Sequence, residues 1–110
     1  MKTLFSIVAL FAAFSSQASG TWIQNTKVTD VRWYDHNGGH GYITTENNSN
    51  PECPNAKTGT HRYFSNTGNN TQSIISLGLS AMLSDKTVNI LVEGCHDSLH
   101  SKVKGIVINR

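Results

Sequence analysis

Cys53 and Cys95 are the only two cysteines in 110 residues, so one intramolecular bridge is the only cross-link this chain can make with itself. The first twenty residues say where that bridge would form. Met1-Lys2-Thr3 is a short basic start, Leu4 to Phe14 is an apolar run, and Ser15 to Gly20 is a small-residue stretch of the kind a signal peptidase cuts. The run is about 11 residues, short of the roughly 20 a spanning helix needs. Residues 1–20 therefore read as an export signal. Residues 21–110 read as one mature domain, secreted or periplasmic, with no membrane span after cleavage. In an oxidising compartment the two thiols pair by default. Closing a loop of about 43 residues restricts the unfolded chain by about 4 kcal/mol, a large share of the roughly 5–15 kcal/mol by which domains are stable.

Charge excludes one class of partner. Without Lys2 the chain carries eight Lys/Arg against seven Asp/Glu, a net charge of +1 in place of +2. So even a balance, with no basic run, predicts no nucleic-acid partner.

Trp22 to Tyr34 is β-rich, with Val31 and Trp33 in phase and Val28 out of phase with them. A bulge near Thr29-Asp30 reconciles the halves. Asp35 to Gly41 is dense in turn formers, and Tyr42 to Thr45 completes a hairpin. Glu46 to Thr60 is a long polar loop, disfavoured in a compact domain unless tied down; Cys53 sits in its middle. His61 to Ser65 reads as a third strand and Asn66 to Asn70 as a turn. Asn70 or Thr71 is a good N-cap for a helix whose Ile74, Leu77, Gly78, Ala81 and Met82 share one face. Ile75, Leu79 and Leu83 widen that face and predict burial on more than one side. Asp85-Lys86 ends the helix. Thr87 to Glu93 alternates strictly through Val88, Ile90 and Val92, Gly94 to Ser101 reads as a loop, and Val103 to Ile108 closes the chain.

Three strands, a helix and two strands is the element order of an OB-like, five-stranded antiparallel barrel with its helix between the third and fourth strands. The alternative is an open α+β sheet with the helix on one face. The stretch Leu77 to Ile90, an apolar helix running into a strand, then Gly94-Cys95 and the closing Ile106-Val107-Ile108, resembles the B subunits of pentameric bacterial toxins. Most similar are the subtilase-cytotoxin B-subunit-like proteins. That resemblance implies a bacterial, ring-forming (pentameric), sugar-binding module without catalysis of its own. The hairpin and the Pro-flanked cysteine loop depart from it, and no glycan-contacting residue carries over.

The residues that could hold a ligand are few. Trp33, Tyr34, Asp35, His36 and Asn37 combine aromatic rings with hydrogen-bonding side chains, which suits a sugar: a ring covers the apolar face of a pyranose, and fixed acceptors take its hydroxyls. The competing reading has strand alternation burying Trp33 or Tyr34. His36/His40 and His96/His100 are each His-x-x-x-His. Both lie in turn-like or loop segments, so the reading is no metal and no cofactor, with a four-histidine zinc or copper site as the lesser alternative if the two loops meet. Clustered, the same histidines would respond to pH. Catalytic motifs are missing: there is no Gly-x-Ser-x-Gly elbow and no phosphate-cradling loop. Glu46, His61 and Arg62 are the one acid–base set a small secreted hydrolase or nuclease could use, and an accessory protein of a larger envelope complex is the other alternative to a glycan or surface-ligand binder.

Overall fold

The computed structural model describes residues 20–66 and 71–110. The expected leader lies, apart from Gly20, outside the described residues, as does Asn70. The elements are β1 (Thr21–Tyr34), β2 (His40–Thr45), β3 (His61–Ser65), α1 (Thr71–Ser84), β4 (Thr87–His96) and β5 (His100–Ile108). The helix falls between the third and fourth strands, as the hydrophobic pattern predicts.

The five strands close in a ring, in the order β1-β2-β3-β5-β4 and back to β1. The expected all-antiparallel sheet is corrected to a mixed one: β3 runs parallel to β5, with Tyr63 opposite Lys102. The reason is parity. Alternating directions around a closed circuit requires an even number of strands, so a ring of five must contain a like-directed join. Every other pairing is antiparallel.

Strand β1 serves two neighbours. Thr21 to Lys27 pairs with β4 and Val28 to Tyr34 pairs with β2, with the register slipping between Val28 and Asp30. That slip is the bulge predicted at Thr29-Asp30. It lets Val28 and Val31 both pack toward the core, and a second slip, between Ile23 and Thr26, does the same for that pair. Strand β4 is the simplest case: Val88, Ile90 and Val92 alternate inward and are fully buried. Around them pack Ile43, Phe64, Ile74, Ala81, Val103 and Ile106.

The helix docks by one stripe. Ile74, Gly78 and Ala81 are buried, and Leu77, Met82 and Ile75 pack partly against the core. Leu79 and Leu83 are exposed, Leu83 by 80%, so the expected burial on several sides is corrected. A helix laid against a closed ring meets protein on one face only. Gly78 sets the approach distance: a Cβ there would lie 3.2 Å from Ile43 and 3.3 Å from Val31.

The loop from Glu46 to Thr60 is tied down three times. The disulfide Cys53–Cys95 joins it to β4 across a sequence separation of 42. Arg62, wholly buried, reaches out of β3 and donates to the carbonyls of Asn47 and Ser49, each at 2.6 Å, and to Thr45 Oγ1. Burial pulls its guanidinium down to about 10, and main-chain oxygens take the place of a counter-ion. Asn50, also buried, donates to the carbonyls of Ala56 and Leu99 and accepts from Ser101 N and Oγ. Polar composition is satisfied internally here, which is what allows so long a segment to be ordered.

Candidate binding face

Alternation on β2 and β3 places a different kind of residue on each side. Gly41, Ile43 and Thr45 face inward on β2, as do Arg62 and Phe64 on β3. The outward positions are His40 and Tyr42 on one strand and His61 and Tyr63 on the other, the same His-x-Tyr triplet twice. Cross-strand pairing sets them in rows: Tyr34 opposite His40, and Tyr42 opposite Tyr63, with Lys102 beyond.

All five histidines and all three tyrosines of the chain join this one face through ring contacts. One near-parallel series crosses four strands: Tyr34 to His40 at 5.3 Å, His40 to Tyr63 at 6.0 Å, and Tyr63 to His96 at 3.6 Å with planes 4° apart. Tyr42 stands steeply inclined at its centre, edge-on to His40, Tyr63 and His100 at 5.1–5.9 Å. His36 meets His40 at 5.0 Å, and His61 meets His100 at 6.3 Å. Rings stacked on one another present edges to solvent, so the face displays phenol hydroxyls and imidazole nitrogens over an apolar base.

Two turns bound it. Between β1 and β2, Asn37, Gly38 and Gly39 all have positive φ, and Gly39 N donates to His36 O at 3.1 Å. Between β4 and β5, Asp97 and Ser98 are left-handed and Leu99 N donates to His96 O. The expected loop over Gly94 to Ser101 is therefore mostly strand. β4 and β5 continue to His96 and His100, which face each other across the hairpin. The tightness of that turn places both imidazoles on the sheet.

Fixed charges at the margin come mainly in pairs. Arg32 donates to Asp30, which raises its pKa further, and His96 Nε2 lies 3.0 Å from Asp97. Burial raises the Tyr42 phenol and lowers the His100 imidazole, the latter aided by His61 and His96. His100 Nδ1 is buried without a hydrogen-bond partner, so a proton there has no acceptor.

The sequence-predicted segment divides between two sides. Tyr34 and His36 belong to the ring face. Trp33 turns away to stack near Phe64 at 6.0 Å, and its indole N–H donates to Asp35 at 2.8 Å. Trp33 and Tyr34 are each 37% exposed, so alternation does not bury either. Asn37 sits at the turn. His40, Tyr42, His61, Tyr63, His96 and His100 complete the face; the repeated His-x-Tyr at strand spacing marks the first four, and His40, His96 and His100 stood in the two His-x-x-x-His pairs. Among the described residues no three His, Cys, Asp or Glu gather to hold a metal ion. Glu46, His61 and Arg62 do not converge either: Arg62 points into the core and His61 away from it. No helix among the described residues is long and apolar enough to cross a membrane. No family model matches the chain, and no curated protein is significantly similar to it.

Proposed function

We propose that the chain is an exported, non-catalytic binding module with an OB-like barrel, and that it recognises a glycan on its tyrosine–histidine face. The observation that carries this reading is the position of the eight rings. In an OB-fold the surface of strands 2 and 3, flanked by the loops between strands 1–2 and 4–5, is where oligosaccharides and oligonucleotides dock. The rings occupy that surface and those two loops bound it. A net charge near zero favours the sugar over the nucleic acid. The disulfide and the absence of a spanning helix among the described residues accord with a secreted or periplasmic protein.

Single shallow sugar sites bind weakly, and tethering several in a ring multiplies their strength. An apolar strip supports such an assembly. Trp22 lies opposite Leu91 on the outside of β1 and β4, with Val107 diagonal to Leu91 on β5, and Trp22 and Val107 are 47% and 49% exposed.

The test is an oligosaccharide array probed with the oxidised protein and with Tyr42→Ala and Tyr63→Ala. Selective binding lost in both variants is expected. No binding by any sample, or binding indifferent to both substitutions, removes the reading. Native mass spectrometry checks the assembly: about five subunits is expected, and a monomer at micromolar concentration removes the ring.

A further inference from the structure

We propose that the ring face is gated by protons: it holds an uncharged, hydroxyl-rich ligand while its imidazoles are neutral and releases it when they are charged. This rests on the glycan reading of the same face and adds the ligand's charge class and its regulation.

The geometry supplies the gate. Imidazole is the side chain that changes charge between pH 5 and 8, and here every imidazole of the chain stands on one surface. They form two close pairs, His36 with His40 at 5.0 Å and His61 with His100 at 6.3 Å. Tyr42 lies between the pairs, touching His40, His61 and His100. Charging both members of either pair sets like charges within 5.0–6.3 Å of each other, edge-on in one pair and tilted in the other, across a half-buried surface. Their separation withdraws the packing that fixes Tyr42.

Neighbouring groups do not cancel this. From β1, Arg32 is committed to Asp30 and Tyr34 stacks on His40. From β2 and β3 the facing groups are the phenols of Tyr42 and Tyr63, which are neutral in this range. From β5, Lys102 adds positive charge beside Tyr63. The turn carboxylates are Asp35, which accepts from Trp33, and Asp97, which lies against His96. Burial, His61 and His96 oppose protonation of His100, and Asp97 only partly offsets them.

Hydrogen bonding has the same sign. A neutral imidazole offers one donor and one acceptor, matching a sugar hydroxyl that gives and takes, whereas imidazolium offers donors only. At His100 the charged ring must carry a proton on the buried, partnerless Nδ1. Acid therefore removes both the acceptors and the order of the face.

The experiment measures affinity for the strongest array oligosaccharide at pH 7.5 and pH 5.5, for the native protein and for His40→Gln/His100→Gln. One imidazole of ordinary pKa that must stay neutral weakens binding about tenfold over that interval. The native protein is expected to lose at least that much. The double variant, weaker at pH 7.5, is expected to change by less than about threefold. Native affinity equal within twofold at the two pH values, or stronger in acid, overturns the gate and leaves the glycan reading standing. A ligand-free arm separates the two if no oligosaccharide binds. In ring-proton NMR, Tyr42 resonances are expected to move with histidine titrations that are broader than single-site curves. Five independent single-site curves with Tyr42 unmoved overturn the gate.

Discussion

Gly41 is the residue on which the ring face and the core both depend, and its replacement by alanine is a sharp test of the packing. It sits on β2 between His40 and Tyr42 and points inward, opposite Trp33. A Cβ added there would collide with the carbonyl oxygen of Arg32 and lie 2.6 Å from Phe64 Cζ. Neither neighbour yields cheaply: one is backbone of the paired strand, and the other is a ring 3% exposed in the core. Overpacking of this kind costs about 1–3 kcal/mol, and more where backbone must shift. Against it stands the roughly 0.5–1 kcal/mol by which alanine outperforms glycine in a strand. With the overpacking cost at the upper end of that range, the net expectation for Gly41→Ala is a loss of about 2 kcal/mol, or a fall in Tm of roughly 8–16 °C for a domain of this size. Gly105→Ala is the control. It lies in β5, where an added Cβ meets only Leu91 Cβ at 3.7 Å, so its stability should be unchanged or slightly higher. Urea and thermal unfolding of the oxidised proteins, followed by far-UV circular dichroism, give both numbers. Equal stabilities for the two variants would refute the argument that close inward approach, and not strand propensity, demands glycine at position 41.

Two further outcomes follow from the fold. Cys53→Ser/Cys95→Ser should lose about 4 kcal/mol in urea titrations, and the new hydroxyl at position 53 adds to the loss because Cys53 is wholly buried; a loss under about 1 kcal/mol would mean that Arg62 and Asn50 already confine the loop in the unfolded chain. Acid should destabilise the protein in two stages. The His100 pKa is lowered in the fold by burial, so its contribution is fully present above the unfolded value near 6.5 and is lost as pH falls through the lower folded value. Glu52 accepts from Thr21 Oγ1 at 2.7 Å and from Gly94 N at 3.0 Å, which lowers its pKa below the usual 4.5. Its contribution is present above about 4.5 and disappears below that. Unfolding free energies measured from pH 8 to pH 3 should show both stages. Glu52→Gln should erase the lower one alone, and its survival in that variant would reassign it.

The hydrophobic pattern made legible what period alone can encode. Val88, Ile90 and Val92 announce β4, the stripe from Ile74 to Ala81 announces α1, and the phase break after Val28 announces the bulge. The parity of a five-strand ring required no coordinates either, but the all-antiparallel expectation overlooked it. Arg62 was not, because a charged residue in His-Arg-Tyr-Phe-Ser reads as surface until the carbonyls of a distant loop are placed around it. The extent of β4 and β5 was hidden by Gly94, whose positive φ of 81° marks an irregularity inside a strand where composition suggests a loop. Half of the ring face was hidden for the same reason. Tyr34 and His36 stood in a conspicuous aromatic segment. His61 and Tyr63 gained meaning only once β3 lay beside β2, since the ring face is assembled from all five strands.

The parallel join between β3 and β5 is held by little backbone pairing, with Tyr63 and Lys102 as its registered contact. Tyr63 reaches over that seam to lie flat on His96, so the rings act as stitching on the outside of the one place where the circuit is thinly closed. A ligand bound as proposed would thus rest on the fastening of the ring itself. A surface built this way couples the rings to closure: whatever pries Tyr63 from His96 starts to unbutton the seam.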